Sequence, residues 1–299
     1  RSNKRVDGDA VVESVEAHGG RAFLIVWRGD CAPSIVPLRS LPGYATRDAA
    51  PETITISVPS CAASRADMIR IGAGNFVFLG PGEPPSSDIR EAPRYTQEQL
   101  AALPGFSLDR TETTNAAFAT FSRLHTYTGI RQPVYATTKA LGANSDRAPV
   151  AFVDWIEARA FCRFYGKELP TSQQWVRAMR GGETLPNGEP NPWPRRNYPW
   201  GITPPGDRAK ILGVGNHGPA PVGSFPGDSS PEGVLDLAGN VQEWTASPSP
   251  DPREASFRVT HGGNWSEADP STLHEFMAIE NQRHERSRWY IVGLRCASD

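Results

Sequence analysis

The sequence predicts a loop-rich fold of short helices and strands, with a small β unit at its N-terminus. Glycine and proline each account for 28 of the 299 residues, and hydrophobic residues for 38%. Because glycine and proline interrupt regular structure, this composition favours short elements over a helical bundle. Near the middle of the chain, two predicted helices carry capping boxes at their starts. The length fits one large domain plus an appended unit.

The N-terminal part contains two strand-like runs, Ala22–Trp27 (A-F-L-I-V-W) and Thr53–Val58 (T-I-T-I-S-V). The second run alternates and is β-branched, as expected of a half-buried strand. Cys31 and Cys61 follow the two runs, and a bridge between them would staple a β unit whose core is too thin to stand alone. The even total of four cysteines suits an oxidising compartment. Four buried thiols in a cytosolic protein are the open alternative.

We place a domain boundary near residue 62, which divides the chain into a β-rich unit over 1–62 and a second domain over 63–299. The second domain begins with Met68–Gly80 (M-I-R-I-G-A-G-N-F-V-F-L-G), which predicts an opening hairpin of two short strands around a glycine turn. Phe106–Phe121 follows as a strand and then a helix capped by a threonine.

Two further helices are predicted by their caps. The first begins at Asp154, whose capping box is completed by Glu157, and Gly166 can end it in the left-handed conformation. The second begins after Thr171, with Gln174 as the other member of the box and a glycine as its stop.

Charge and motifs exclude several classes of function. The formal charge is −2, so we expect no general attraction to nucleic acid or anionic lipid. No apolar run approaches the length of a membrane helix. Phosphate-loop and protein-kinase motifs do not occur, and the six histidines are scattered without metal-ligand spacing. The first residues, Arg1–Arg5 (R-S-N-K-R), fit either the flank of a removed membrane helix or a fragment boundary.

Six segments, in order along the chain, are similar to the motifs of one enzyme family. They are Phe106–Phe121 (F-S-L-D-R-T-E-T-T-N-A-A-F-A-T-F), Pro149–Gly181, Tyr198–Gly201 (Y-P-W-G), Gly233–Trp244 (G-V-L-D-L-A-G-N-V-Q-E-W), Arg258–Trp265 (R-V-T-H-G-G-N-W) and Gly293–Ala297 (G-L-R-C-A). Together these segments resemble the formylglycine-generating enzyme (sulfatase-modifying factor) family over most of the chain. The resemblance implies an α+β, loop-rich fold related to C-type lectins.

The chemistry of that family needs a cysteine pair that this chain lacks. The resemblance implies two copper-binding cysteines between the last two motifs, near Thr272 and Met277. The segment from Trp265 to Val292 contains no cysteine, and neither threonine nor methionine supplies a thiolate. We therefore expect a divergent member of the family that binds no copper and is not an enzyme.

The G-N-V-Q-E-W loop is the candidate metal site. Family members bind a structural calcium here, which implies three ligands in this chain: the Asn240 amide oxygen, the Val241 carbonyl and the Glu243 carboxylate. Hard oxygen ligands suit calcium. The alternative is that Glu243 only caps or forms an ion pair. The family's second calcium site falls on an A-K-I segment, where Lys210 brings a positive charge, so we expect one calcium.

The resemblance also implies a disulfide. Some members join the positions of Cys162 and Cys296, and two buried thiols are the alternative. With those two cysteines assigned to each other, Cys31 and Cys61 remain as a second pair.

The residues around the missing cysteines suit recognition better than catalysis. They are Asn264, Trp265, Met277, Asn281, Gln282, Arg283 and Trp289. Aromatic, amide and guanidinium groups of this kind are enriched in binding sites. We expect an unknown ligand or protein partner between residues 264 and 289, with Trp265 and Trp289 as anchors. A place in the core is the alternative for both tryptophans.

Three functional hypotheses follow. The first is a non-catalytic, extracytoplasmic sensor or binding domain, similar to the outer region of some bacterial receptor-type serine/threonine kinases. The second is a diversified, ligand-binding variable protein of a retroelement system. The third is an enzyme of the family with an unrecognised site.

Overall fold

The computed structural model describes residues 3–5, 11–17, 21–27, 32–39, 58–79, 99–124, 146–215, 217–266 and 281–299. The predictions that concern Cys31, Thr272, Met277 and most of the Thr53–Val58 run lie outside these residues.

The N-terminal part forms an antiparallel sheet of four strands in chain order. The strands are β1 (Asn3–Arg5), β2 (Val11–Ala17), β3 (Arg21–Trp27) and β4 (Ser34–Arg39). The predicted strand over Ala22–Trp27 is therefore confirmed as β3, which pairs with β2 on one side and with β4 on the other.

The chain then forms a series of short elements. They are helix α1 (Cys61–Arg65), strands β5 (Met68–Ile71), β6 (Gly74–Leu79), β7 (Gln99–Leu103) and β8 (Phe106–Asp109), and helix α2 (Asn115–Leu124). The predicted strand and helix within Phe106–Phe121 are thus β8 and the first part of α2.

The predicted hairpin over Met68–Gly80 is wrong in its pairing. Both of its strands exist, as β5 and β6, but β5 pairs with β8 and β6 pairs with β7, all antiparallel. A local pattern specifies that a segment is extended, but not which distant segment will offer it hydrogen bonds. Here each strand finds its partner beyond a long connection.

The two predicted helices with capping boxes are present as α3 (Trp155–Phe164) and α4 (Ser172–Arg180). Asp154 accepts a hydrogen bond from the Glu157 amide at 3.0 Å, and the Glu157 carboxylate accepts one from the Asp154 amide at 3.2 Å. Thr171 and Gln174 make the equivalent pair of bonds for α4. Each cap satisfies amide groups that the first helical turn leaves without a partner.

The C-terminal part contributes the sheet that carries the candidate site. Its strands are β9 (Gln242–Pro248), β10 (Phe257–His261), β11 (Asn281–His284), β12 (Val292–Gly293) and β13 (Ala297–Ser298), with a short 3-10 helix at Pro252–Glu254. The sheet order is β11-β10-β9-β12, whereas β13 joins β8 and β5 in another sheet. Short strands and long connections match the loop-rich, α+β fold that the sequence predicts.

Two clusters of buried apolar side chains hold these elements together. In the first, Trp175 and Met179 of α4 pack with residues of β5, β6 and β8. In the second, helices α2 and α3 meet through aromatic rings. Phe118 stacks on Phe161 with ring centroids 5.5 Å apart, and Phe121 meets Phe164 edge-on at 5.6 Å. Such pairs add to the stabilisation from apolar burial.

The N-terminal sheet shares the second cluster. Val36 of β4 is fully buried within it, and the Ser34 hydroxyl donates a hydrogen bond of 2.6 Å to the carbonyl of Phe164 at the end of α3. The predicted boundary near residue 62 stays a prediction, but β4 and α3 are in direct contact. Among the helices of the described residues, none is sufficiently long and apolar to span a bilayer.

Candidate binding site

The G-N-V-Q-E-W loop is fixed on one side by close backbone contacts with Lys210. A Cβ on Gly239 would lie 2.4 Å from the carbonyl oxygen of Lys210, so the position admits no side chain. The next residue, Asn240, has a φ of 65°. Its backbone N–H donates a hydrogen bond of 2.8 Å to the same Lys210 carbonyl. Asparagine tolerates this left-handed conformation better than most residues. The loop therefore presents Asn240 and the residues after it in one defined geometry.

Glu112 holds the loop from the other side. Its carboxylate accepts hydrogen bonds from the Asn240 side-chain amide at 2.8 Å and from the Val241 backbone amide at 3.0 Å. The Asn240 amide oxygen accepts a bond from the Ala220 amide at 2.9 Å. Both ends of the Asn240 side chain are thus used within the protein.

Glu243 is committed to an ion pair in the core. Its carboxylate accepts hydrogen bonds of 2.6 to 2.8 Å from the Arg295 guanidinium and one of 2.8 Å from the Trp175 indole. The two charged side chains are 0% and 1% exposed. Arg295 also donates to the carbonyl oxygens of Leu235 and Asp236. This is the ion-pair alternative stated above for Glu243.

The residues of the predicted calcium site do not fit a calcium ion in this arrangement. The Asn240 oxygen faces a backbone amide, and the Glu243 carboxylate faces a guanidinium that would repel a divalent cation. Within the described part of the chain, no group of three or more histidine, cysteine, aspartate or glutamate residues could hold a metal ion. Calcium binding by Asn240, Val241 and Glu243 stays a prediction that the geometry does not favour.

Lys210 occupies the segment where the second calcium site of the family would lie. The side chain is buried, and its ammonium donates to the carbonyl oxygen of Val214. Burial lowers the pKa of Lys210. A lysine ammonium thus places a positive charge in this segment and is bound by a backbone oxygen.

Acidic side chains surround Arg295 in excess. Burial, followed by repulsion from Asp236 and Glu243, raises the pKa of Glu112 well above its ordinary value. Burial also raises the pKa of Asp228 well above its ordinary value, and that of Asp236 to about 6. One arginine thus faces four buried carboxyl groups, and burial shifts three of them, Glu112, Asp228 and Asp236, toward the neutral form.

The predicted recognition residues divide into exposed and buried sets. Trp289 is 43% exposed and its neighbour Tyr290 is 44% exposed. The guanidinium of Arg283 lies 4.9 Å from the centre of the Trp289 ring, within the range of cation–π contacts. Arg283 also donates a 2.5 Å hydrogen bond to the side-chain oxygen of Gln242. The exposure of the Trp289 ring is consistent with its predicted role as a surface anchor, which stays a prediction.

Trp265 lies in the core beneath that exposed pair. It is 2% exposed and packs with Ala151, Val241 and Ile291. Its ring is 5.9 Å from the ring of Tyr290. The buried environment corrects the prediction of Trp265 as a surface anchor: the residue after the G-G-N turn points inward because Ala151, Val241 and Ile291 form an apolar pocket for its ring.

The remaining predicted residues lie on or near strands β10 and β11. Asn264 is buried, and its side-chain oxygen accepts hydrogen bonds from the amide and hydroxyl of Ser266. Gln282 binds the hydroxyl of Ser249 at 2.7 Å. Asn281 is paired with Thr260 in the β10–β11 register. Met277 lies outside the described residues.

Cysteine pairing is confirmed for one of the two predicted bridges. Cys162 and Cys296 form a disulfide with a Cα–Cα separation of 5.5 Å, and it joins α3 to the segment before β13. Cys61 is disulfide-bonded, and its predicted partner, Cys31, lies outside the described residues.

Sequence reasoning missed three residues that shape the site. Arg295 and Glu112 both lie in quoted motifs, but their sequence context does not show that they converge on the G-N-V-Q-E-W loop. Tyr290 was overlooked although it is exposed beside Trp289. A pair of adjacent aromatic residues in a polar segment was the available signal for Tyr290.

Comparison with known proteins supports a family assignment. The family model of the sulfatase-modifying factor enzyme 1-like domain matches residues 55–299. Inactive C-alpha-formylglycine-generating enzyme 2 of Bos taurus is 39% identical over 158 residues, which cover 50% of this chain and 50% of the relative. Hercynine oxygenase of Mycobacterium tuberculosis is 32% identical over 166 residues, which cover 50% of this chain and 37% of the relative. The chain thus spans half or less of the length of these curated relatives.

Solved structures show the same fold. The crystal structure of CarF superposes with a TM-score of 0.56 at 18% identity, and the match covers 78% of this chain and 97% of CarF. Treponema denticola variable protein 1 superposes with a TM-score of 0.53 at 17% identity and covers 77% of this chain and 94% of its own. The relatives include both enzymes and proteins described as inactive. Since the family model covers more than half of the sequence, the chain belongs to the sulfatase-modifying factor enzyme 1-like family, whose members include the formylglycine-generating enzymes.

Proposed function

We propose that this chain is a non-catalytic binding domain, and that its ligand or partner binds on the surface formed by residues 281–291, next to the buried Asn264 and Trp265. The observation that carries the proposal is the exposed pair Trp289 and Tyr290, which lies beside Arg283. Adjacent exposed aromatic rings next to a guanidinium are typical of binding hot spots. The same region contains no cysteine from residue 265 to residue 292, which supports recognition rather than thiol oxidation.

The proposed surface is tested by comparing the effect of replacing Trp289 with the effect of replacing an exposed tryptophan elsewhere. A displayed library of random peptides is selected on the immobilised chain, and the affinities of the selected peptides are measured with two variants. Trp289→Ala should weaken binding by about 2 kcal/mol or more. Trp193→Ala is the matched control because Trp193 is similarly exposed, at 44%, on another part of the surface. Selected peptides that bind Trp289→Ala as tightly as the unmodified chain would refute the assignment.

The absence of catalysis is tested directly. Since some relatives are enzymes, the chain is incubated with copper and a C-x-P-x-R peptide, the substrate type that the family resemblance implies. We expect no aldehyde product by mass spectrometry, because no cysteine pair is available to bind copper(I). Formation of the aldehyde would make the chain an enzyme with an unrecognised site.

A finer proposal concerns where the domain works. We propose an extracytoplasmic sensor, the outer part of a bacterial receptor-type serine/threonine kinase. The disulfide between Cys162 and Cys296 supports an oxidising compartment, and the β unit appended to the family domain supports the receptor arrangement. A reading frame that encodes a membrane helix and a kinase domain before Arg1 would agree with it. A frame that starts close to Arg1, without either, would count against it.

A further inference from the structure

Arg283 is partly buried and, unlike Arg288 and Arg295, has no acidic partner among the described residues. Arg288 contacts the carboxylate of Glu157 at 2.6 Å, and Arg295 contacts that of Glu243 at 2.6 Å. Within the described residues, Arg283 contacts only a neutral amide and a π face. Charges that lose solvent are ordinarily paired, because desolvation without a partner is unfavourable.

The environment of Arg283 confirms that its charge is not balanced. Desolvation lowers the pKa of Arg283, and no neighbouring carboxylate offsets that effect. Its Nε–H group is buried and has no acceptor in the described part of the chain. Beside Trp289 and Gln242 the guanidinium loses contact with water and gains no negative charge from the described residues. We therefore look for an acceptor outside the described residues that would compensate this loss.

Two other buried donors in the same region of the fold are equally unmatched. The indole Nε1–H of Trp265 and the amide Nδ2 of Asn281 are buried without an acceptor among the described residues. Trp265 packs on Val241 and Ile291, which adjoin Gln242, the residue that Arg283 binds. All three groups are hydrogen-bond donors. A ligand that satisfies them must therefore supply acceptor oxygens, since a buried donor left without an acceptor is destabilising.

We propose that the ligand of this surface presents a carboxylate, which pairs with Arg283 and accepts from the Trp265 indole, while its apolar part rests on Trp289 and Tyr290. This inference rests on the proposed function, because it concerns the same surface. A carboxylate suits the planar fork of a guanidinium, which can donate two parallel hydrogen bonds to it. Because the unmatched atoms are shielded from solvent, side chains around them have to move for the carboxylate to reach them.

The experiment compares an acid with its neutral counterpart. Phenylacetate and phenylacetamide have the same ring and differ in the charge of the polar group. Each is titrated into the full chain, and the indole N–H signals are followed by NMR, with Trp265→Phe used to assign the Trp265 signal. We expect phenylacetate to shift that signal and to bind at least about tenfold more tightly than phenylacetamide, because only the acid pairs with Arg283.

Substitution of Arg283 shows whether that residue causes the preference for the negatively charged ligand. Arg283→Gln should erase the preference for the acid, and Arg283→Lys, which keeps the charge, should retain part of it. Arg159→Gln is the matched control, because Arg159 also lies over a tryptophan ring, 5.2 Å from the centre of Trp155, but has a carboxylate partner in Glu168. The Arg159→Gln variant should prefer phenylacetate over phenylacetamide by the same factor as the unmodified chain.

A second arm identifies the source of the carboxylate. A glutamate-containing peptide from the Trp289-dependent set is compared with its glutamine counterpart in the same variants. An Arg283-dependent preference in either arm supports the inference, and the arm with the larger preference identifies a small acid or an acidic peptide. Equal binding of acid and amide in both arms, or a preference that survives Arg283→Gln, overturns it. In that case peptides that still depend on Trp289 would leave the proposed function in place.

Discussion

Asp236 is the buried carboxyl group whose titration falls within an accessible pH range. Its pKa of about 6, against an ordinary value of 3.8, results mainly from burial. The folded state therefore binds more protons than the unfolded state between about pH 4 and pH 6. The contribution of this group to the free energy of unfolding decreases as the pH rises through that window. Above the window the contribution no longer changes with pH.

Asp236→Asn should remove this part of the pH dependence. The side-chain oxygen that accepts from the Gly223 amide is retained, and asparagine tolerates the φ of 57° at this position. Urea unfolding at several pH values should show the variant gaining roughly 1–3 kcal/mol over the unmodified chain between pH 4 and pH 7. Asp67→Asn, at a carboxylate that is 77% exposed, is the control. A stability difference that does not change with pH would contradict the prediction.

Glu243 is the residue whose removal should be most damaging within the loop. Glu243→Gln removes the carboxylate that pairs with the fully buried Arg295, so we expect a loss of about 3 kcal/mol in the free energy of unfolding. The control is Arg253→Gln, which breaks an exposed ion pair with Asp251 and should leave the unfolding curve unchanged. A loss for Glu243→Gln no larger than that of the control would show that the pair is not important for stability.

At the scale of elements, the G-N-V-Q-E-W loop is held by hydrogen bonds from several elements. Glu112 reaches it from the segment between β8 and α2, Lys210 from a preceding loop, and Arg295 from the C-terminus. This internal bonding engages the Asn240 side-chain oxygen and the Glu243 carboxylate, two of the three groups predicted to bind calcium.

Chelation tests that view. With the loop bonded in this way, we expect the melting temperature to be the same with and without a calcium chelator. A bound calcium at a hundredfold excess over its dissociation constant would stabilise the fold by about 2.7 kcal/mol. A fall in melting temperature on chelation that calcium reverses and magnesium does not would restore the predicted site at Asn240, Val241 and Glu243.

At the scale of the whole molecule, the N-terminal sheet and the family domain share apolar contacts. Val36 of β4 is 0% exposed and lies in the cluster that contains Phe118 and Phe164. Such sharing predicts that the two parts unfold together, because the sheet cannot separate without exposing the aromatic rings of α2 and α3.

Val36→Ala should destabilise both parts at once. We expect a loss of about 2 kcal/mol, from lost burial and the cavity left behind. Tryptophan fluorescence and far-ultraviolet circular dichroism should follow one common transition. Leu100→Ala, at a side chain that is 66% exposed, is the control and should change little. Two separate transitions, with only one of them shifted by Val36→Ala, would show that the parts unfold independently.

Local sequence determined a large part of this fold. The capping boxes at Asp154 and Thr171 were readable because a cap needs only residues that are neighbours along the chain. The β3 strand was readable from its apolar run for the same reason. The ordered motifs identified the family, and the disulfide between Cys162 and Cys296 followed from that resemblance.

Only the tertiary structure decided the partners of these groups. The pairing of β5 with β8, the engagement of Glu243 by Arg295 and the inward position of Trp265 each depend on segments far apart in the chain. The role of a side chain depends on the groups that the fold places next to it. The Glu243 carboxylate can attract either calcium or a guanidinium, and here its neighbour is the Arg295 guanidinium. The sequence by itself therefore determined which chemical groups are present, and folding determined which of them remain available, such as Arg283 and Trp289 at the surface proposed for binding.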